Sequence, residues 1–323
     1  MKRKLFAIIL SLVAVSFAVA AHAAWPERTV TLIVPYPPGG TADTVARIAA
    51  EWLTKALKQS VIVEHRPGAG GAIAAEFVAR APADGYTVIL ASTGTMEIVP
   101  RMQKVRYDTL KSFAPIFIVG TQPMAFAVNS KLPVKSLDEL VAYAKARSGQ
   151  VAYASSGNGS TAHLTMALFL KRAGISMTHV AYKGNAPAMT DLLGGHVPMY
   201  LGGVFELLPY YKDKGAKIKV IAVSSEKRLS QMPEVPTVAE QGYPGFSTLA
   251  WNALLAPAGT PKEVIATFAE ALRPACQDAG FSGKLEAIGV DALCNTPEQF
   301  SERLKADWAM WGEAVKVSGV AMQ

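Results

Sequence analysis

Apolar residues in this 323-residue chain gather in short continuous runs, each broken by glycine, serine or threonine and followed by apolar positions at helical spacing. The first unit reads Val30 to Pro35, then Pro37-Pro38-Gly39-Gly40-Thr41, then Val45, Ile48, Ala49, Trp52 and Leu53. That order predicts a strand covered on both faces, a tight turn and an amphipathic helix. A second strand, Ser60 to Glu64, leads to Gly68-Ala69-Gly70-Gly71 and a helix through Ala81; a third, Tyr86 to Ala91, ends in Ser92-Thr93-Gly94-Thr95. The same grammar returns further on. Strand Val151 to Ala154 runs into Ser155-Ser156-Gly157-Asn158-Gly159-Ser160-Thr161 and a helix from Ala162 to Ala173. Strand Met177 to Tyr182 leads to Lys183-Gly184-Asn185 and a helix through Leu193, and strand Val197 to Leu201 ends at Gly202-Gly203.

Between the two units lies Pro115 to Pro133, with a strand-like segment from Met124 to Val128, and then a helix whose start is marked by Ser136 and Glu139 at capping-box spacing. After another apolar strand, Trp251 to Ala256, the chain closes with helices opened by Thr260-Pro261-Lys262-Glu263 and Thr296-Pro297-Glu298-Gln299, each a hydroxyl, a proline and an acceptor at N-cap, N1 and N3. Alternating strands and helices argue for an α/β fold with mainly parallel sheets. Two lobes with crossings near residues 120 and 250 fit the order: 24–121 and 250–323 in one, with the terminal helices returning to it, and 122–249 in the other.

The amino terminus changes the picture. Lys2, Arg3 and Lys4 precede an apolar run from Leu5 to Ala20, interrupted by Ser11 and Ser16 and followed by Ala21-His22-Ala23. This has the form of a secretory signal peptide, too short and broken for a membrane span, with cleavage expected after Ala23 and a periplasmic destination. Of 32 basic and 25 acidic residues the exported part keeps 29 and 25, a net charge of +4. With half its residues hydrophobic and 18% charged, the remainder can bury proper cores. Its basic residues alternate with acidic ones instead of lining one stripe, which argues against nucleic-acid binding. The two cysteines, Cys276 and Cys294, both lie in the exported part and are expected to pair, closing a short loop worth roughly 3 kcal/mol on the chain-entropy model. No His lies near either, which argues against zinc.

In parallel α/β sheets, ligands bind outside the carboxyl ends of the strands, where helix starts present free N–H groups and the positive end of the dipole. Two facing lobes would then offer one anion-binding turn each, at Pro38 to Asp43 and at Ser155 to Thr161. Neither contains Lys or Arg, so neutral donors would hold a small anion and affinity would depend only modestly on salt. Enzyme readings fare worse. Gly157-x-Gly159-x-x-Ala162 satisfies a dinucleotide fingerprint, but no Asp or Glu occurs between Ser160 and Thr190 to hold a ribose; an exported NADP-dependent oxidoreductase using Lys183 is the alternative left open. The chain has neither G-x-S-x-G nor a phosphate-binding G-x-x-x-x-G-K-[ST].

The segments Thr31-Leu32-Ile33-Val34-Pro35-Tyr36-Pro37-Pro38-Gly39-Gly40, Arg66-Pro67-Gly68-Ala69-Gly70-Gly71, Asp84-Gly85-Tyr86-Thr87, Tyr182-Lys183-Gly184, Asp191-Leu192-Leu193-Gly194-Gly195 and Leu255-Ala256-Pro257-Ala258-Gly259-Thr260-Pro261 occur in this order. Together they resemble the Bug family, the TctC-like binding subunits of tripartite tricarboxylate transporters, over essentially the whole exported chain. The resemblance implies a two-lobed periplasmic-binding-protein fold of type II character, a small carboxylate held between the lobes, no cofactor or metal, no catalysis, a monomer, and delivery to inner-membrane transporter subunits. Carried over residue by residue, it implies a first-lobe site of Tyr36, Pro38, Gly39, Gly40, Thr41 and Asp43 with Gly70 and Ser92 behind, and a second-lobe site of Ser155, Ser156, Gly157, Ser160, Thr161 and His163 with Tyr182 and Gly184 nearby. His65 stands where Asn is common and Leu201 where Asp is common; the second departure would leave a cleft wall more apolar. From position alone, His163 also reads as a helix residue bonded locally, Trp251 as core, and Arg66 and Lys183 as solvated.

Overall fold

The computed structural model describes residues 25–211, 213 and 217–320; the segment expected to be a signal peptide lies outside the described residues. Strand β1 (Val30–Val34) runs parallel to β2 (Val61–His65) on one side and β3 (Thr87–Ser92) on the other. Its residues alternate between two apolar layers, Val30, Leu32 and Val34 entering one and Ile33 the other, leaving Thr31 as the one polar position of the strand. Three strands of the second unit are likewise parallel: β6 (Thr178–Ala181) and β7 (Met199–Gly203) flank β5 (Ala152–Ser155).

The sheet is mixed, however, and not mainly parallel as expected. Strand β4 (Phe113–Asn129) is one continuous strand of 17 residues where the sequence suggested only Met124 to Val128. Its first half pairs antiparallel with β9 (Leu249–Pro257), which also pairs antiparallel with β3, and its second half pairs antiparallel with β7 and β8 (Ile218–Val223). A short β10 (Asp291–Ala292) adds to β4 at Gly120 and Thr121. The sequence hid this strand behind two prolines: Pro115 sits beside a register shift against β9, and Pro123 sits where β4 leaves β9 for β7. The crossings near residues 120 and 250 are therefore neighbours, with Thr121 opposite Trp251 and Gln122 opposite Ala250.

Helices cover both faces: α1 (Thr41–Leu57), α2 (Ala72–Ala79), α3 (Val99–Met102), α4 (Leu137–Lys145), α5 (Thr161–Ala173), α6 (Asn185–Gly194), α7 (Val204–Tyr211), α8 (Lys262–Leu272), α9 (Ala279–Glu286) and α10 (Pro297–Ser318). A wide π-type turn, Gly94–Ile98, follows β3. Thr296 and Gln299 form a complete capping box at α10. At α4 the box is only half made: Ser136 accepts from the Glu139 amide, but the Glu139 carboxylate takes the amide of Lys135 instead of Ser136. At α8 no box forms, because the Thr260 hydroxyl donates to the Pro257 carbonyl and the helix starts one residue later.

Each lobe holds two apolar layers, one on either side of its sheet. In the first, Val45, Leu53, Phe268 and Leu272 cover one face, and Ala75, Val78, Trp251 and Phe300 the other. In the second, Phe126, Tyr153 and Phe169 oppose Ala127, Leu192 and Leu207. A fifth cluster joins the lobes. Helix α10 begins in the first lobe through Phe300 and Leu304, but its last turns place Trp311, Ala314 and Val315 against Leu164 of α5, so the terminal helix returns to both lobes and not to the first alone. Cys276 and Cys294 are bonded, with Cα atoms 5.4 Å apart, tying the segment before α9 to the one before α10.

Candidate functional site between the lobes

The carboxyl ends of β1 and β5 each release the chain into a turn and a helix, and the first turn together with the first residue of the second helix, Thr161, meets an open cavity of about 530 Å³. From the first lobe Tyr36, Pro37, Pro38, Gly40, Thr41, Ala42, Ser92, Thr93 and Gly94 line it; from the second, Thr161. Its floor is the crossing itself, Gln122 of β4 with Ala250, Trp251 and Asn252 of β9. None of these lining residues carries a formal charge.

Helix α1 opens on Gly40, whose backbone is extended (φ −89°) and supplies no side-chain cap, so the first turn keeps unsatisfied N–H groups beside the cavity. The turn before it is held from behind. Asp43 is buried; one carboxylate oxygen accepts the Gly39 amide at 2.8 Å, and the other meets Arg47 Nε at 2.9 Å and His65 Nε2 at 2.8 Å. Burial alone would raise the Asp43 pKa, but the hydrogen bonds from Gly39, Arg47 and His65 outweigh it and hold the carboxyl below its ordinary value. To the side, the Tyr36 hydroxyl bridges Ser92 Oγ at 2.8 Å and Thr95 Oγ1 at 2.9 Å, and Thr95 donates onward to the Gly70 carbonyl.

In the second lobe Ser160 caps α5 by accepting the His163 amide at 3.2 Å. Ser155 Oγ lies 2.7 Å from His179 Nε2 and accepts the Gly157 amide at 3.2 Å. His163 Nδ1 accepts the Gly159 amide at 3.1 Å. Two helix starts, one from each lobe, thus face a single uncharged cavity whose floor is the pair of strands joining the lobes.

A family model described as the tripartite tricarboxylate transporter family receptor, TctC, matches residues 45–320. The chain belongs to this family. Protein BugT of Bordetella pertussis is 34% identical over 323 residues, covering 98% of both chains. Among solved structures, a TctC solute-binding protein from Polaromonas without ligand superposes with a TM-score of 0.82 at 31% identity, covering 90% of this chain and 99% of the other. The R. palustris protein Rpa4515 with adipate gives 0.73 at 34% (92% and 99% covered), and MatC from Rhodopseudomonas palustris with bound malate gives 0.70 at 29% (90% and 100%).

In this receptor the residues singled out from sequence divide in two. Tyr36, Pro38, Gly40, Thr41, Ser92 and Thr161 line the cavity. Gly39, Asp43, Gly70, Ser155, Ser156, Gly157, Ser160, His163, Tyr182 and Gly184 do not line it; most of them brace the turns from behind. Tyr182 directs its hydroxyl to Asp191 on α6, and the Gly184 amide ties to the Ser156 carbonyl. His65 is explained as the partner of Asp43. Leu201 does not reshape the cleft as expected: it is fully buried in the second core, opposite Phe126 on β4. Arg66 bonds Glu64 and stacks over the Phe77 ring.

Sequence reasoning missed the floor. Gln122 and Asn252 are polar residues inside apolar strands, which was the available signal, and Trp251 is core and floor together, 1% exposed with its amide bonded to Thr93 Oγ1 at 2.9 Å. Also missed was Glu206 on α7. Its carboxylate takes the Tyr200 hydroxyl, the Asn185 side-chain amide and the Gly203 amide, so it already occupies the donors where α6 and α7 begin. Burial raises its pKa more than those three bonds lower it. Among the described residues no group of three or more His, Cys, Asp or Glu is placed to hold a metal.

Proposed function

We propose that this receptor binds a small carboxylate in the interlobe cavity, one acidic end at the start of α1 and the other at the start of α5. The observation that carries this is the convergence of two helix starts on a lining without charged side chains. Unsatisfied N–H groups and the positive ends of two dipoles would solvate an anion there without a Lys or Arg. A cavity of about 530 Å³ suits a ligand of a few to a dozen heavy atoms. The adipate and malate carried by the two neighbours support acids of that class. Because β4 and β9 are both floor and crossing, closure of the lobes over the ligand would bend the strands that touch it.

In this reading the chain is exported by the segment up to Ala23, acts in the periplasm as a monomer without cofactor or catalysis, and hands its ligand to inner-membrane transporter subunits. Residues 24–121 and 250–323 serve as one lobe and 122–249 as the other. The test is a thermal-shift panel of aliphatic dicarboxylates, hydroxyacids and aromatic carboxylates on purified protein, with NADP as comparator. A bound acid should raise Tm, by about 2.7 kcal/mol of added stability at a hundredfold excess over Kd. A response to NADP with none to any acid would reverse the conclusion.

A further inference from the structure

Behind the second turn three rings stand in a column: Tyr153 of β5, His179 of β6 and His163 in the first turn of α5. Tyr153 and His179 stack with centroids 4.9 Å apart, and His179 and His163 at 3.8 Å with planes only 9° apart. Each imidazole spends one nitrogen on the turn in front of it. His179 Nε2 meets Ser155 Oγ, which accepts the Gly157 amide and lies 3.5 Å from Ser160 Oγ; His163 Nδ1 accepts the Gly159 amide. Ser155, Gly157, Gly159 and Ser160 are therefore all tied to the two rings.

The third position of a helix is where Glu or Gln ordinarily reaches back to an upstream amide. A glutamate there would place a negative charge on the helix start that lines the cavity at Thr161, offsetting the dipole just where an anion is to sit. Imidazole accepts the same proton without charge, provided Nδ1 stays unprotonated. Burial, and then the His179 ring pressed on its face, bring the His163 pKa down to about 4, and burial lowers that of His179. Around the column, the segment before β6 contributes Ser176 and Met177, α10 contributes Val317 and Ser318, and α5 itself Lys171, whose ammonium is paired with Glu313.

We propose that His163 and His179 are positioning residues for ligand capture: an uncharged imidazole pair that sets the backbone of the Ser155–Thr161 turn, His163 by accepting the Gly159 amide and His179 by holding Ser155 Oγ, and leaves the start of α5 free for a carboxylate. The electrostatic half rests on the carboxylate reading above; the positioning half does not. The test compares His163→Leu, His163→Gln and His163→Glu by hydrogen exchange of the Gly159 amide and by calorimetric Kd for malate and adipate. Gly159 should exchange at least tenfold faster in the Leu variant and stay protected in Gln and Glu. Gln should keep Kd within about threefold, and Glu should weaken it about tenfold. If Leu does not fold, the Gln and Glu pair, alike in shape and different in charge, decides. Unchanged Gly159 exchange in folded Leu, or equal Kd in Gln and Glu, overturns the proposal. Failure of wild type to bind any acid overturns the carboxylate reading and the electrostatic half with it, while Gly159 exchange still decides the positioning half.

Discussion

Asp43 and His163 hold the same place in their two helices, each accepting an amide proton from the glycine four residues upstream, Gly39 at 2.8 Å and Gly159 at 3.1 Å. The two lobes thus brace their turns by one device with different chemistry. In the first the acceptor is a charged carboxylate answered by Arg47 and His65; in the second it is an imidazole lying against another imidazole.

The first turn gives the cleanest test of anion binding. Gly40 has a negative φ and no heavy atom within 4 Å of where a Cβ would stand, so Gly40→Ala should fold without strain. Gly40→Asp should do more, since Asp is a better N-cap than Ala by about 1 kcal/mol. Tm should hold or rise while acid-induced stabilisation disappears; intact binding by the Asp variant would move the ligand off α1. Gly159 is unsuited to the matching change, because its φ of +71° is strained for other residues and a Cβ would stand 2.4 Å from Met102 Cε.

Asp43→Asn should cost about 1.5–3 kcal/mol, the range for hydrogen bonds to a charged group. The pH dependence has a definite sign. Because the folded pKa of Asp43 is lowered, its contribution is complete above the unfolded value near 3.8 and is lost as pH falls through the folded pKa. Urea titrations should show the wild-type advantage over Asn shrinking in acid; a constant gap between pH 7 and 2 would contradict it.

Glu97 shifts in the opposite direction. It is fully buried, neither carboxyl oxygen has a partner, and burial followed by repulsion from Asp307 raises its pKa well above 4.5. The folded state then holds a proton that the unfolded chain releases, so stability falls as pH rises through the unfolded value. Glu97→Gln should raise Tm at pH 7, with the gain vanishing below about pH 4.5. Calorimetry at the two pH values checks this.

The bridge between Cys276 and Cys294 spans 18 positions and should stabilise by roughly 3 kcal/mol. Protein taken from the periplasm should yield no free thiol until reduced and unfolded. The double serine variant should melt lower by several degrees; two reactive thiols in the untreated sample would refute the pairing in the cell.

Strand-turn-helix units were legible because their runs are predominantly apolar and their turns are written in glycine and hydroxyl residues, as Val30–Val34 with α1 shows. What was not legible has particular causes. Pro115 and Pro123 broke the apparent continuity of β4, concealing the antiparallel strands. Thr260 carries the letters of a cap but spends its hydroxyl on its own turn. Spacing placed residues on the turns beside the cavity without telling front from back, so Thr161 and His163 read alike although of the two Thr161 lines the cavity. Gln122 and Asn252 lie inside apolar strands, far apart in the sequence, and become neighbours of the cavity only through the antiparallel pairing of β4 with β9.

Strand β9 lies between β3 and β4 in the sheet, although more than a hundred residues separate it from either along the chain. A polypeptide emerging amino end first can therefore complete the second lobe, which needs nothing beyond residue 249 for its own strands, while the first lobe waits with β3 and β4 unjoined. For a chain that folds as it emerges, this connectivity would favour one order of assembly: the inserted half could close early, and the half that begins the chain could finish only when β9 enters the gap between β3 and β4.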